Sequence, residues 1–171
     1  MIEYLDLTFI VDPIDEVLEA SLFEAGLEVG IARFGAALTM VETTIPASDN
    51  PVADAVALAD NLQGLGVNLL RLDLDLVNQN AIAARCGVTR AAVSKWVNCS
   101  TLAQPFPRPY TAITGPVWAW CDVSQWLGRT VNRSFDGSSS LTSAQVAEFN
   151  SRWAGRSQPE SATALLGAAA V

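Results

Sequence analysis

The side chains of this 171-residue sequence that could do chemistry are few, and their types exclude most familiar catalytic machinery. The chain has no histidine, so it has no Ser-His-Asp triad, no Cys-His pair and no histidine-ligated zinc or haem. Its three cysteines, Cys86, Cys99 and Cys121, lack Cys-x-x-Cys spacing, which supports neither a disulfide framework nor a four-thiolate metal site. We therefore expect reduced thiols, no cofactor and no enzymatic activity.

Carboxylates are the remaining candidate ligands, because oxygen donors on neighbouring strands are what Mg²⁺ or Ca²⁺ requires. Four of them are predicted to point outward, namely Asp6, Asp12, Asp73 and Asp75. The loop signature that makes a calcium site recognisable is missing. We therefore interpret these residues as a solvated acidic face and expect no bound metal.

The charged residues are divided unevenly along the chain. The total of 10 Lys and Arg against 18 Asp and Glu gives a net charge of -8, which argues against a polyanionic partner. Residues 1–76, however, hold 14 acidic and 2 basic side chains, whereas residues 77–133 hold 1 acidic and 6 basic ones. This reversal predicts two modules with different partners, of which only the middle one suits a nucleic acid.

Nothing in the sequence indicates a membrane protein. The first residues lack the basic segment of a secretory signal, and the apolar stretches fall short of the roughly 20 residues that cross a bilayer. We therefore expect a soluble protein of the cytoplasm with no membrane partner.

Residues 79–97 read QNAIAARCGVTRAAVSKWV and predict two short helices joined by a turn. Asn78 is the expected cap of the first helix, Gly87 permits a left-handed turn, and Thr89 is the expected cap of the second helix. The positions expected to face inward are Ile82, Ala83, Cys86, Val88, Val93 and Trp96. This pattern resembles the DNA-binding helix-turn-helix family at each position where packing restricts the residue type.

The resemblance implies that residues 89–97 form a recognition helix that enters the major groove of duplex DNA. Arg90 would bind O6 and N7 of a guanine together, and the Ala91 methyl group would touch a thymine methyl. Phosphate contacts would come from nearby amide, hydroxyl and ammonium groups, which belong to Gln79, Thr89, Ser94 and Lys95.

The stretch after this segment predicts a hairpin followed by a helix. Phe106-Pro107-Arg108-Pro109 excludes a helix, and residues 110–113 and 117–120 predict two short strands around Thr114-Gly115-Pro116. Asp122 is the expected cap of a short helix that runs through Leu127.

This order resembles the winged MerR-like and excisionase-like DNA-binding domains. The tip of the wing has no Arg or Lys, so Arg108 and Tyr110 are the expected contacts to the DNA backbone. The tryptophans of this region are interpreted as core rather than as a stacking platform for single strands, and they are Trp96, Trp118, Trp120 and Trp126.

Residues 1–76 predict the element order β-α-β-β-α-β. The hydrophobic pattern places strands over 5–11 and 70–76, two further strands between 27 and 45, and a helix in each remaining interval. The expected helix starts are Asp12-Pro13 and Asn50-Pro51. In the last strand the buried face is expected to consist of Leu70, Leu72, Leu74 and Leu76. The order resembles the ferredoxin-like arrangement, which hosts many unrelated activities.

Residues 134–171 complete the chain with a linker, a helix and a tail. Residues 134–140 are rich in Gly and Ser, and Thr142 with Gln145 predicts a capping box. The helix that follows carries an apolar stripe of Val146, Phe149 and Trp153, which must be buried on its own core or on a second subunit. Residues 157–171 are expected to be disordered, with a weakly helical segment for a partner at 162–171 as the alternative.

Taken together, the sequence predicts an α+β protein with a ferredoxin-like βαββαβ domain at 1–76, a winged helix-turn-helix domain at 77–133, and a linker, helix and tail at 134–171. We expect a homodimeric bacterial-type transcriptional regulator that binds specific double-stranded DNA and is associated with the nucleoid. The acidic domain would dimerise, sense a signal or bind a protein partner. Two alternatives stay open: an excisionase-like or partition-type architectural DNA-binding protein, and an enzyme or small-molecule binder housed in residues 1–76.

Overall fold

A computed structural model of the chain describes residues 3–36, 38–99, 104–112, 115–130 and 139–156. The first part contains β1 Tyr4–Val11, α1 Glu16–Glu24, β2 Gly30–Phe34, β3 Leu38–Pro46, α2 Pro51–Gly64 and β4 Leu69–Leu72. The next part contains β5 Leu76–Val77, α3 Gln79–Arg85, α4 Arg90–Asn98, β6 Trp118–Ala119 and α5 Trp120–Thr130. The described chain ends with β7 Ser139–Ser140 and α6 Ser143–Arg156. The predicted α+β class is confirmed.

The main sheet has the strand order β2-β3-β1-β4, and each of these neighbours is antiparallel. Strand β3 pairs along the whole of β1, from Tyr4 to Val11. The other edge of β1 is shared, because β4 pairs with its end while β7 pairs in parallel with Leu5 and Asp6. The interpretation of residues 134–140 as a linker is therefore wrong for Ser139 and Ser140.

The first helix begins later than predicted. Asp15, not Asp12, is the N-cap of α1, and its Oδ1 accepts the Leu18 N–H at 2.8 Å. Asp12 instead binds Asn68, the residue before β4: its N–H donates to the Asn68 carbonyl at 3.0 Å and its carboxylate accepts from the Asn68 amide. The predicted start of α2 is confirmed, with Asn50 as its cap and Pro51 as its first residue.

The predicted regular strand over 70–76 is wrong. Strand β4 ends at Leu72, and its register with β1 shifts between Ile10 and Val11. Because of this irregularity Leu69 and Leu72 are buried, whereas Leu70 is 52% exposed. Leu76 belongs to β5, which pairs with β6 in a separate two-stranded sheet.

Helix α6 packs on the N-terminal sheet of its own chain, which answers where its apolar stripe is buried. Phe149 lies 5.7 Å from Phe9 between ring centroids, and the Trp153 Nε1–H donates to the Leu69 carbonyl at 2.9 Å. The Asn150 side chain accepts the Leu72 N–H at 2.8 Å and donates to the Leu72 carbonyl at 2.9 Å. This amide therefore binds the backbone of β4 as a neighbouring strand would.

The start of α6 confirms the predicted capping box. The Thr142 N–H donates to Gln145 Oε1 at 2.9 Å, and the Gln145 N–H donates to Thr142 Oγ1 at 3.3 Å. The predicted tail at 157–171 lies outside the described residues.

A second core lies under α3, α4 and α5. Its buried members are Val77, Ile82, Ala83, Val93, Phe106, Trp118, Trp120, Val123, Trp126 and Leu127. Burial of these three tryptophans confirms that they are core residues, while Trp96 is half-buried and contacts Trp126 at 5.9 Å between ring centroids. Asp122 is not a cap, because α5 already begins at Trp120.

The helices of the described chain are all too short or too polar to cross a membrane.

Candidate nucleic-acid interface

Helices α3 and α4 form a capped two-helix unit, residues 78–98, as the sequence predicts. Asn78 Oδ1 accepts the Ala81 N–H at 2.9 Å, and Thr89 Oγ1 accepts the Ala92 N–H at 3.2 Å. Between the helices Gly87 has a φ of 61°, a left-handed conformation that glycine adopts without steric cost. A Cβ built on Gly87 would meet no atom within 4 Å, so a side chain would have room there. Glycine is favoured at this position because of the left-handed backbone conformation.

The inner faces of this unit are held by the second core. Ile82 and Val93 are fully buried, and the small Ala83 is also buried in this core. Trp96, three residues after Val93 on the same face of α4, packs against this core as a partly buried residue. Because both helices are capped and packed, the outer face of α4 is presented by a rigid support.

The outer face of α4 carries the predicted contact residues. At about 100° per residue, the positions of Arg90, Ala91, Ser94, Lys95 and Asn98 fall within an arc of about 140°. Arg90, Ala91 and Lys95 are exposed, and Ser94 is half-buried. The Asn98 amide donates to the Ser94 carbonyl at 2.8 Å. Neither Arg90 nor Lys95 forms an ion pair with any described residue, so both cations face solvent.

The two remaining contact residues of this unit lie at its helix starts. Thr89 is exposed, and because its oxygen accepts the cap hydrogen bond, its hydroxyl hydrogen remains able to donate. Gln79 is the first residue of α3 and is half-buried. Both positions suit donors to phosphate oxygens.

The segment before the predicted wing is anchored by two indole groups. Phe106 is buried with its ring centroid 5.7 Å from that of Trp118 and 4.9 Å from that of Trp126. The Trp118 Nε1–H donates to the Pro107 carbonyl at 3.0 Å, and the Trp126 Nε1–H donates to the Gln104 carbonyl at 3.1 Å. These contacts hold the backbone on which Arg108, an exposed side chain, is carried.

The predicted hairpin is found only in part. The Tyr110 N–H donates to the Val117 carbonyl at 2.7 Å, and the Val117 N–H donates to the Thr111 carbonyl at 3.0 Å, which makes a single bridge. The Tyr110 side chain is 59% exposed. Residue 113 of the predicted first strand and residue 114 of the predicted tip lie outside the described part.

The prediction that residues 117–120 form the second strand of that hairpin is wrong, because the strand found there is shorter and pairs with a different segment. Trp118 and Ala119 pair with β5, and Trp120 begins α5. The Trp120 N–H donates to the Asp75 carbonyl at 2.8 Å, so this segment is bound to the chain that leaves the main sheet.

One of the six cations counted in residues 77–133 is neutralised within the molecule. The Arg85 guanidinium donates to both carboxylate oxygens of Asp75, at 2.6 and 3.0 Å, and lies 4.8 Å from the centre of the Trp120 ring. A bidentate pair of this kind fixes both side chains. Arg85 therefore joins the two parts of the chain and is not available to a partner.

Sequence reasoning overlooked Arg129 as a candidate contact. It is an exposed residue in the last turn of α5 and lines a shallow groove with Pro107, next to Arg108 in the chain. No local motif marks it, because its proximity to residues 104–107 arises only from the packing of α5 on that segment.

Three of the four outward carboxylates are paired within the chain. Asp12 binds Asn68, Asp75 binds Arg85, and Asp73 lies 3.4 Å from the Arg71 guanidinium. Across the described ranges no three acidic or cysteine side chains are placed to hold a metal ion. Burial, reinforced by the charge of Asp122, raises the pKa of the Cys121 thiol, which is a poor setting for a nucleophile.

Comparisons of the chain with protein-family models, with curated proteins and with solved structures found no match.

Proposed function

We propose that this chain is a sequence-specific double-stranded DNA-binding protein of the bacterial transcription-regulator type, with α4 as its recognition helix. The observation that carries the proposal is the outer face of α4, where Arg90 and Lys95 are exposed and form no ion pair with described residues. A capped helix with solvated cations on one face, backed by a packed core, is the arrangement that groove binding requires.

The fold assignments belong to the same proposal. The antiparallel order β2-β3-β1-β4, with α1 and α2 in the crossovers, supports a ferredoxin-like N-terminal domain that α6 extends. The left-handed turn at Gly87, the caps at Asn78 and Thr89, and the bridge between Thr111 and Val117 support a winged helix-turn-helix domain in residues 77–133.

The roles within the site follow from side-chain chemistry. Arg90, at the first position of α4, reads a guanine edge, and the adjacent Ala91 methyl group contacts thymine. The phosphate-binding groups are Gln79, Thr89, Ser94 and Lys95 on the two-helix unit and Arg108, Tyr110 and Arg129 beside it.

The unequal division of charge favours one orientation on the duplex. Residues 1–76 hold 14 acidic and 2 basic side chains and are repelled by phosphates. The DNA phosphates attract the exposed cations of α4. An approach that places α4 against the DNA and the acidic residues away from it brings opposite charges together and keeps like charges apart.

Selection of bound sequences from a random duplex pool is the test of this function. We expect enrichment of a discrete site, with an affinity that falls steeply between about 50 and 200 mM salt because phosphate contacts release counterions. Absence of duplex binding by the full chain at 50 mM salt would contradict the proposal. Bending of bound DNA without an enriched site would instead favour the architectural alternative.

A second copy of the chain is part of the proposal, because one short helix makes too few contacts for tight specificity. We expect two chains on each enriched site, with half-sites about 34 Å apart or a multiple of that spacing. Sedimentation equilibrium of the full chain with the selected duplex measures this stoichiometry. The full chain is needed rather than residues 1–76, because α6 belongs to the core of the N-terminal sheet. Saturation at one chain per site would exclude the dimer.

A further inference from the structure

A cleft of about 930 Å³ lies where the N-terminal sheet meets α3. Its walls come from β1, the end of α1, residues 27–30, β3, the segment 72–76, Arg85, and residues 140, 141 and 146 around the start of α6. The volume is within the range of small-molecule sites, which is roughly 300–1,000 Å³. The cleft has no part in the proposed DNA interface, since none of the residues assigned to DNA lines it.

Apolar side chains that are unusually exposed line this cleft. Phe23 is 54% exposed and Leu76 is 43% exposed, and both contribute to the walls together with Met40 and Leu74. A cleft with such walls is stabilised when an apolar group covers them. The walls therefore favour an organic ligand over a bare metal ion.

The charge of the cleft selects the sign of that ligand. Asp6, Glu28 and Glu42 line it, are exposed, and form no ion pair with the described residues. Among the described residues that line it, Arg85 is the only cation, and its guanidinium is bound by both oxygens of Asp75. An anionic ligand would be repelled, whereas an ammonium group gains attraction from several carboxylates.

We propose that this cleft binds a small organic cation with an apolar body, of the alkyl-amine or alkyl-diamine class. The ammonium groups lie against Asp6, Glu28 and Glu42, and the hydrocarbon chain lies along Phe23 and Leu76. A cation within reach of Asp75 also competes with Arg85, the last residue of α3, for the same carboxylate. Any effect of the ligand on DNA rests on the proposed function, whereas the binding site itself does not.

Isothermal titration of the full chain without DNA tests the site, with 1,8-diaminooctane as the probe and 1,8-octanediol as its uncharged match. We expect saturable binding of the diamine and none of the diol. Glu42→Gln should lower the affinity for the diamine about fivefold, because the attraction between this carboxylate and the ammonium group is lost. Asp49→Asn removes the same charge at an exposed position outside the cleft and should change the affinity less than about twofold.

The location of the ligand is read from the tryptophan indole NMR signals. Trp120 carries the Arg85 guanidinium over its ring, so its signal should move on titration, while the signal of Trp153 on the far part of α6 should not. Phe23→Ala should lower the affinity for the diamine about threefold, because it removes apolar surface that the hydrocarbon chain would cover. Three results would overturn the site: no heat with the diamine, equal binding of the diol, or equal weakening by Asp49→Asn and Glu42→Gln. Binding that leaves Trp120 unmoved would overturn its placement beside Arg85.

Because this titration contains no nucleic acid, its failure is distinct from failure of the DNA selection.

Discussion

Trp153→Ala is expected to lower the free energy of unfolding by about 3–5 kcal/mol, the usual range for truncating a buried aromatic side chain. The indole is almost fully buried, stacks on Phe149 with 5.8 Å between ring centroids, and donates a hydrogen bond to the Leu69 carbonyl. The substitution leaves a cavity between α6 and the sheet and also deprives a strand carbonyl of its donor. Urea unfolding followed by far-ultraviolet circular dichroism measures the loss.

Two control variants separate the causes. Trp153→Phe retains most of the packing but removes the hydrogen bond, so we expect a loss of about 1–2 kcal/mol. Phe34→Ala truncates an aromatic side chain that is 61% exposed on the edge strand and should change stability by less than about 0.5 kcal/mol. A loss below about 1 kcal/mol for Trp153→Ala would mean that α6 is not an integral part of the N-terminal core.

Arg90→Ala is expected to weaken binding to the selected DNA site by about 1–3 kcal/mol and to relax the base preference at one position of each half-site. A bidentate contact to guanine is lost, and the alanine has no group that distinguishes the four base pairs there. Fluorescence anisotropy with the selected duplex and with single-base variants of it measures both effects.

Lys95→Ala provides the comparison within the same helix. Loss of a phosphate contact should lower the affinity for the selected duplex and for random duplexes by the same factor. It should also reduce the slope of log affinity against log salt by about one. Arg152→Ala removes one positive charge from α6, where Arg152 pairs with Glu148 at i,i+4, and should leave DNA affinity almost unchanged. If Arg90→Ala and Lys95→Ala lower the affinity equally on selected and random duplexes, α4 does not read bases.

Local signals were sufficient where one residue type controls a short piece of backbone. Asn50, Asn78 and Thr89 were predicted as caps and each accepts the expected backbone N–H. Gly87 was predicted as the turn and has the left-handed φ that the turn requires. These features depend on four or five consecutive residues, so the sequence alone contains the needed information.

Features that depend on distant residues were missed. The choice between Asp12 and Asp15 as the cap of α1 is decided by Asn68, which lies directly before the neighbouring strand β4 and binds both the N–H and the carboxylate of Asp12. The exposure of Leu70 follows from a register shift against β1, which hydrophobic alternation cannot reveal.

The same limit applies to the candidate site. The recognition-helix residues could be proposed from 19 consecutive letters, because helix periodicity determines which of them face outward. The sequestration of Arg85 by Asp75 and the position of Arg129 beside residues 104–107 arise from packing between separate elements. Counting basic residues in a segment therefore overstated the charge that a polyanion meets.

The amide of Asn150 also has a consequence for the order in which the chain matures as it is synthesised. It binds Leu72 across 78 positions of sequence, and Trp153 binds Leu69 across 84. A ribosome must therefore synthesise the chain at least as far as Trp153 before α6 can pack on the first sheet, whereas the buried residues of the second core all lie between positions 77 and 127. The N-terminal sheet therefore gains its contacts with α6 only after residues 77–130 have been translated, and until then the edge of β4 stays open to pairing with other nascent chains.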